Sequence, residues 1–450
     1  MGRRTSFAGL AMAGTLTVAS VGASTAIEAL RKPVRPGTDR TVSQTLPTRW
    51  INTWVSMPQL TETHNLPPAP FTGTNQVLVN STLRQTVHTT VEGKQLRLRF
   101  SNAFGGANLP ITKVAVALPL GGKAGVSAIR PGTSEPVTFQ GKASTVVPVG
   151  AQVVSDPIAF AVAPDSDVTV TMYLAQGQAS TNVTSHPGSR TTSYMLSGDN
   201  VTNNDLPGAT SADHWYFLSG LEVWAPGTTG ALAVLGDSLT DGRGSTTNLN
   251  NRWPDALFDR LVVRSDIPPT AILNQAAGGN RVLNDGLGPN ALARLDRDIL
   301  VQGGVDRMIV FEGVNDIGTA AATSAAQNQV AADLIDAYDQ IVRRAHTLGI
   351  RVYGATLLPF GQNTGYDDPT GYRRAARSTV NEWIRTSGRF DAVLDFDRVV
   401  RDSNNPEQLK AAYDDGDRLH LNPAGYAALA ESVPTQLFRN SALPEDFGFN

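Results

Sequence analysis

Hydrophobic and polar positions alternate singly in the first half of the chain and gather into runs in the second. Between residues 50 and 224, Thr82-Leu-Arg-Gln-Thr-Val-His-Thr89 and Lys94-Gln-Leu-Arg-Leu-Arg-Phe100 keep a period of two, as do the stretches at 111–117, 144–149 and 167–173. That period predicts half-buried strands, and a shorter run at 77–79 reads as another. Gly, Pro, Asn and Ser fill the gaps, with no long amphipathic helix between them. Many short strands with regular turn signals predict an all-β sandwich or jelly roll over residues 47–225.

The pattern changes after the Gly/Pro hinge Ala225-Pro-Gly-Thr-Thr-Gly230. Apolar runs at 231–236, 270–274, 308–311, 350–357 and 392–396 read as strands buried on both faces. Between them, residues 253–263, 291–301, 325–348 and 372–386 space their apolar positions by three and four, the helical period. A last helix opens at Asn422-Pro423, a cap followed by proline at the first helical position. Alternating β and α segments predict a parallel sheet covered on both sides, an α/β three-layer domain over residues 230–440.

At 450 residues the chain is longer than one core usually supports, which agrees with two domains. With 41% hydrophobic and 17% charged residues it has the apolar content to fill them. The net charge of −3 and the lack of a Lys/Arg run argue against nucleic acid as a partner. Met1-Gly-Arg3-Arg4, followed by a weakly apolar small-residue run to Ala23, has the form of a secretory signal peptide over residues 1–26, by either the general or the twin-arginine route. Residues 27–46 then read as a linker, and the expected location is extracellular. With no cysteine, the exported chain has no disulfide, thiol nucleophile or Cys metal site. The sequons at Asn80, Asn182 and Asn200 matter only in a eukaryotic source.

Ser238, in Gly236-Asp237-Ser238-Leu239, stands at the carboxyl end of the first apolar strand, where open α/β sheets place their ligands. A serine nucleophile needs a base, a group to orient that base, and donors for an oxyanion. His420 lies in a loop just before the final helix, and Asp417, three residues earlier, is within reach of its ring. His346 falls inside a helical pattern and reads as a solvated residue. Two further strand-end loops offer donors: Asn274-Gln-Ala-Ala-Gly278-Gly279-Asn280 through a glycine N–H, and Gly313-Val-Asn315-Asp316 through an amide side chain. Asp237 reads as a brace for its loop. His88 reads as structural, and His214, beside Trp215, Tyr216 and Phe217, as interdomain packing, with cleft lining as the sharper alternative. No nucleotide loop or calcium-ligand spacing is present, and no cofactor or metal is implied.

Taken together, Gly236-Asp237-Ser238-Leu239, Gly279-Asn280, Gly313-Val-Asn315-Asp316 and Asp417-Arg-Leu-His420 resemble, in order and spacing, the motifs of the SGNH hydrolases of the GDSL esterase/lipase superfamily. The resemblance spans about 230–438. It implies a flavodoxin-like three-layer fold, Ser238 as nucleophile, His420 as base and Asp417 as its orienting acid. It also implies an oxyanion hole of the Ser238 N–H, the Gly279 N–H and the Asn315 side chain, with Gly278 the alternative to Gly279. The expected function is that of a secreted serine esterase acting through an acyl-enzyme, on short acyl (acetyl) esters of carbohydrate. Lipid or aryl esters are the alternative, and a glycan-binding module on an inactive hydrolase scaffold is the alternative of another class. The partner is thus an ester substrate, for instance an acylated polysaccharide, rather than a nucleotide. Oligomeric state is not legible in the sequence.

Overall fold

Residues 47–439 are described by a computed structural model; the expected signal peptide and linker lie outside the described residues. From Arg49 to Ala225 the chain forms antiparallel sheets. One has four strands in the order Arg49–Val55, Leu218–Ala225, Leu96–Ser101, Gln152–Val154. Another has six, with Ser81–Thr89 and Ser166–Leu174 paired at its centre, and a three-stranded sheet joins Trp215–Tyr216, Thr184–His186 and Gln59–Leu60.

The alternation of Ser81–Thr89 predicts one wet face, yet almost every residue of that strand is buried. Its polar face is sealed by hydrogen bonds. Arg84 reaches Thr171 Oγ1 at 2.9 Å and the carbonyls of Ser127 and Asn203 at 2.6 and 2.7 Å, while on the opposite, mainly apolar face Gln85 exchanges two bonds with the Tyr216 backbone. Buried donors with partners avoid the penalty that would otherwise expel them. The expected strand at 77–79 is reduced to isolated bridges at Val77, because Leu78 and Asn80 adopt positive φ and break the extension.

From Gly230 onward five strands form one parallel sheet in the order Thr270–Ala276, Gly230–Gly236, Val305–Phe311, Arg351–Ala355, Ala392–Leu394. In chain order this is 2-1-3-4-5, the flavodoxin-like arrangement with its switch point between the first and third strands. Every residue of Gly230–Gly236 is buried, as a continuous apolar run requires. Helices Trp253–Val262, Ser324–Thr347, Tyr372–Thr386 and Pro423–Ser432 accompany the sheet, the last capped by Asn422 Oδ1 on the Gly425 N–H. The helix expected at 291–301 is α-helical only over Ala291–Leu295 and widens to a π turn over Asp296–Leu300. The fifth strand ends at Leu394, because the Asp395 side chain caps a short helix, Phe396–Val400.

The two regions share one hydrophobic core. Polar contacts also cross the boundary: Asn52 exchanges backbone and side-chain bonds with Gly303, Arg99 reaches Gln302, and the Ile272 N–H donates to Thr90 Oγ1.

Candidate active site

Strand Gly230–Gly236 stops at a turn whose geometry is set by Asp237. Its Oδ1 accepts the Leu239 N–H at 2.9 Å and caps the four-residue helix Ser238–Asp241. Ser238 therefore occupies the first helical position, where the backbone N–H has no intrahelical acceptor and points outward. Burial, with Glu312, Asp316 and Asp241 nearby, pushes the Asp237 carboxyl well above the usual carboxylate range. A carboxyl so placed serves as a brace.

The loop before the final helix brings His420 over the serine. Ser238 Oγ lies 2.8 Å from His420 Nε2, and His420 Nδ1 lies 2.6 Å from Asp417 Oδ2. The carboxylate can only accept, so the proton sits on Nδ1 and leaves Nε2 free to accept from the serine hydroxyl. Asp417 also accepts the Leu419 and His420 N–H groups at 2.9 and 2.8 Å, which fixes the three-residue turn. Asp414 Oδ1 holds the same loop through the Gly416 and Arg418 N–H groups. Burial lowers the His420 pKa below 6.5 against the opposing pull of Asp417, and the charge of Arg243 adds to the lowering. Burial acts to raise Asp417, but the hydrogen bonds from His420 outweigh it and hold the carboxyl below its ordinary value.

Two loops stand opposite. The Gly278 N–H is already used, donating to Asp241 Oδ2 at 2.9 Å, whereas the Gly279 N–H has no acceptor among the described residues. Gly279 sits at φ +74°, which L side chains rarely adopt, and a Cβ there would meet Leu287 at 2.4 Å. Asn315 uses one amide hydrogen on the Asn280 carbonyl at 2.8 Å and accepts the Tyr366 hydroxyl at 2.5 Å on its own oxygen, which orients the amide and leaves its second hydrogen. Tyr366 comes from the polar loop 359–369. Ser238, Gly279, Asn315 and His420 line one cavity of about 580 Å³.

Other residues that hold this arrangement were not singled out in the sequence. Arg294, fully buried, donates to the Gln275 and Gly236 carbonyls, to Asn280 Oδ1 and to Glu312, stapling the carboxyl ends of three strands. Burial still drives the Glu312 pKa up to about 7 despite this partner. Asp316 accepts the Val282 and Leu283 N–H groups and so fixes the glycine loop to the Asn315 helix.

The antiparallel region reaches the site as well. His186 Nε2 lies 2.9 Å from Asp241 Oδ1 and its Nδ1 3.0 Å from the Met57 carbonyl. Both residues are nearly inaccessible, 4% and 2% exposed. One acceptor, the Asp241 carboxylate or the Met57 carbonyl, thus stands at each ring nitrogen. Gly188 lets the chain pass so close that a Cβ would fall 1.8 Å from Asp241 Oδ2. The other histidines divide. His88 pairs with Asp167 at 3.0 Å away from the serine, and His346, a partly exposed residue of helix Ser324–Thr347, meets Asp391 at 2.9 Å. His214 lines the serine cavity, while Trp215 packs edge-on to Trp54 and stacks on His186. Both readings of that aromatic cluster are therefore realised by different members of it.

Comparison with known proteins finds a match between residues 234–428 and the GDSL-like Lipase/Acylhydrolase family. Among solved structures, the chain is similar to a GDSL-like lipase from Bacteroides thetaiotaomicron VPI-5482, at 14% identity over 45% of this chain and 84% of that one, TM-score 0.33. It is also similar to the acetyl xylan esterase AlAXEase, at 18% identity over 45% and 96%, TM-score 0.33, and to TesA, at 21% identity over 45% and 94%, TM-score 0.34. No curated protein matches. Residues 234–428 of this chain are a domain of the GDSL-like lipase/acylhydrolase family.

Proposed function

We propose that this chain is a secreted serine esterase that cleaves short acyl esters, acetyl above all, from carbohydrate. The observation that carries the reading is the unbroken chain of hydrogen bonds from Ser238 Oγ through His420 to Asp417, facing the unused N–H groups of Ser238 and Gly279.

Ser238 Oγ attacks the ester carbonyl as His420 Nε2 takes its proton. The carbonyl oxygen becomes an oxyanion, received by the Ser238 N–H, the Gly279 N–H and the free amide hydrogen of Asn315. His420, now carrying both protons and steadied by Asp417, gives one to the departing alcohol oxygen. Water then repeats the sequence on the acyl-enzyme and restores the serine. The polar walls of the cavity, which include Gln59, Glu62, Asn65 and His214 from the antiparallel region, suit a hydroxyl-rich alcohol.

The test is hydrolysis of p-nitrophenyl acetate, butyrate and octanoate by wild type and Ser238→Ala. Expected is an acetate-preferring activity that Ser238→Ala lowers by at least about 10⁴-fold in turnover, the scale of nucleophile deletions in serine hydrolases. Octanoate preference would redirect the substrate toward lipid. Equal rates for wild type and variant on every chain length would overturn the esterase reading.

A further inference from the structure

Two arginines line the serine cavity without a partner. Arg190 comes from the antiparallel region and Arg243 from the turn after the serine helix. Arg190 Nε is buried and makes no hydrogen bond, and neither guanidinium has an ion-pair or side-chain hydrogen-bond partner among the described residues. Arg243 is exposed, and the buried arginines Arg294, Arg377 and Arg252 each have a carboxylate partner, Glu312, Asp397 and Asp255, although Arg377 Nε, like Arg190 Nε, makes no hydrogen bond. A buried donor without an acceptor calls for a physical reason, and a ligand that supplies the acceptor is one.

The acids in the same cavity do not fill that role. Glu62 is held by Gln59 Nε2 at 2.6 Å and Asn65 Nδ2 at 3.0 Å, and Asp241 by His186 and the Gly278 N–H. The backbone at both arginines is held in place. Arg190 stands at φ +51°, an uncommon conformation for a residue with a side chain. Its carbonyl accepts the Asn248 N–H at 2.9 Å, and Asn248 in turn bonds the Thr192 backbone and hydroxyl. That link ties the Arg190 segment to the loop after Ser238. The Arg243 N–H donates to the Ser238 carbonyl at 3.0 Å, and its own carbonyl accepts the Tyr426 hydroxyl. With a net charge of −3, an unpaired cationic pair is not a property of the whole chain.

We propose that Arg190 and Arg243 receive an anionic oxyacid group, carboxylate or sulfate, on the alcohol portion of the ester. The inference rests on the serine esterase reading and narrows its substrate to acylated acidic glycans. The side of the ester follows from the chemistry. His420 delivers a proton to the leaving oxygen, so the alcohol lies on the His420 side, and the charge of Arg243 is felt at His420. Guanidinium groups present forked donors that match the two oxygens of such an anion.

The test compares 4-acetoxybenzoate with neutral 4-acetoxybenzamide, and 4-acetoxybenzenesulfonate with its sulfonamide, in wild type, Ser238→Ala and Arg190→Gln/Arg243→Gln. The amide withdraws electrons more strongly than the carboxylate, so intrinsic reactivity favours the neutral ester and a preference for the anion must come from binding. Expected is a wild-type kcat/KM ratio of anionic to neutral ester of about ten or more, the scale of a charged hydrogen bond, falling close to one in the double variant. Reading a ratio within each protein removes any general loss caused by the substitutions. The carboxylate and sulfonate arms show which oxyacid is preferred. A wild-type ratio near one for both, or a ratio unchanged in the double variant, overturns the anion site while the esterase reading stands. Hydrolysis of none of the esters above the Ser238→Ala rate overturns both.

Discussion

The parallel-sheet region and the antiparallel region meet at the same cavity but bring residues to it in different ways. Ser238, Gly279 and Asn315 each follow a neighbouring strand of the parallel sheet, and His420 precedes its last helix, so the fold gathers them at the switch point without special packing. His186, Gly188, Arg190 and His214 come instead from irregular segments and a three-residue strand of the antiparallel region. They reach the site only because that region is docked against the serine helix. The antiparallel region is therefore part of the site's wall and bracing.

The largest effect belongs to the parallel-sheet side. Asn315→Ala removes the amide hydrogen proposed to receive the oxyanion and strands the Asn280 carbonyl and the Tyr366 hydroxyl that now meet it. Turnover of p-nitrophenyl acetate is expected to fall by about 10² to 10³, with the folded state checked by circular dichroism. Undiminished turnover would remove Asn315 from the oxyanion hole.

Next in size is His186→Ala, which tests the other side of the comparison. It leaves Asp241 buried with the Gly278 N–H as its remaining donor, and depriving a buried acceptor of a partner costs about 1–3 kcal/mol. The loss should appear in denaturant unfolding. Because Asp241 spans the serine helix and the loop of Gly278 and Gly279, turnover should also drop, by about tenfold for one misplaced donor at the low end of such effects. His186→Gln, which retains a donor toward Asp241, should recover part of the turnover. If His186→Ala lowers stability but leaves kcat on p-nitrophenyl acetate intact, the antiparallel region supports the fold and does not position the site.

Much of this was legible in the sequence, and the boundary of legibility is physical. The five parallel strands announce themselves because strands buried on both faces have to be apolar throughout, and the glycines and caps at their ends are local chemistry. The pairing of Asp417 with His420 is equally local, three residues apart in one turn. His186 and Asp241 lie 55 residues apart, Arg294 and Gly236 lie 58 apart, and no periodicity marks either pair. Their positions follow from how elements dock. Ser81–Thr89 shows the same limit: its alternation is real, but whether the polar face meets water or Arg84's buried acceptors depends on loops far away in the chain. Nor does the sequence mark that Asp241 occupies the Gly278 N–H and leaves that of Gly279 unused.

The smallest effect is also the most specific. His420 must be neutral to accept the serine proton, so kcat/KM should rise with pH through the His420 titration and level off above it, with the rising limb below 6.5. Burial is the main cause of that low position, Asp417 and Asp415 oppose it, and Arg243 reinforces it. Arg243→Gln removes a positive charge that disfavours the imidazolium, so the limb should move to higher pH while the plateau reports the rest of the machinery. A pH profile on a neutral ester measures this without engaging any anion on the substrate. A limb that stays in place would mean that Arg243's charge is screened from the ring by solvent at the cavity mouth. Its place beside the leaving alcohol would then have to rest on the substrate ratios alone.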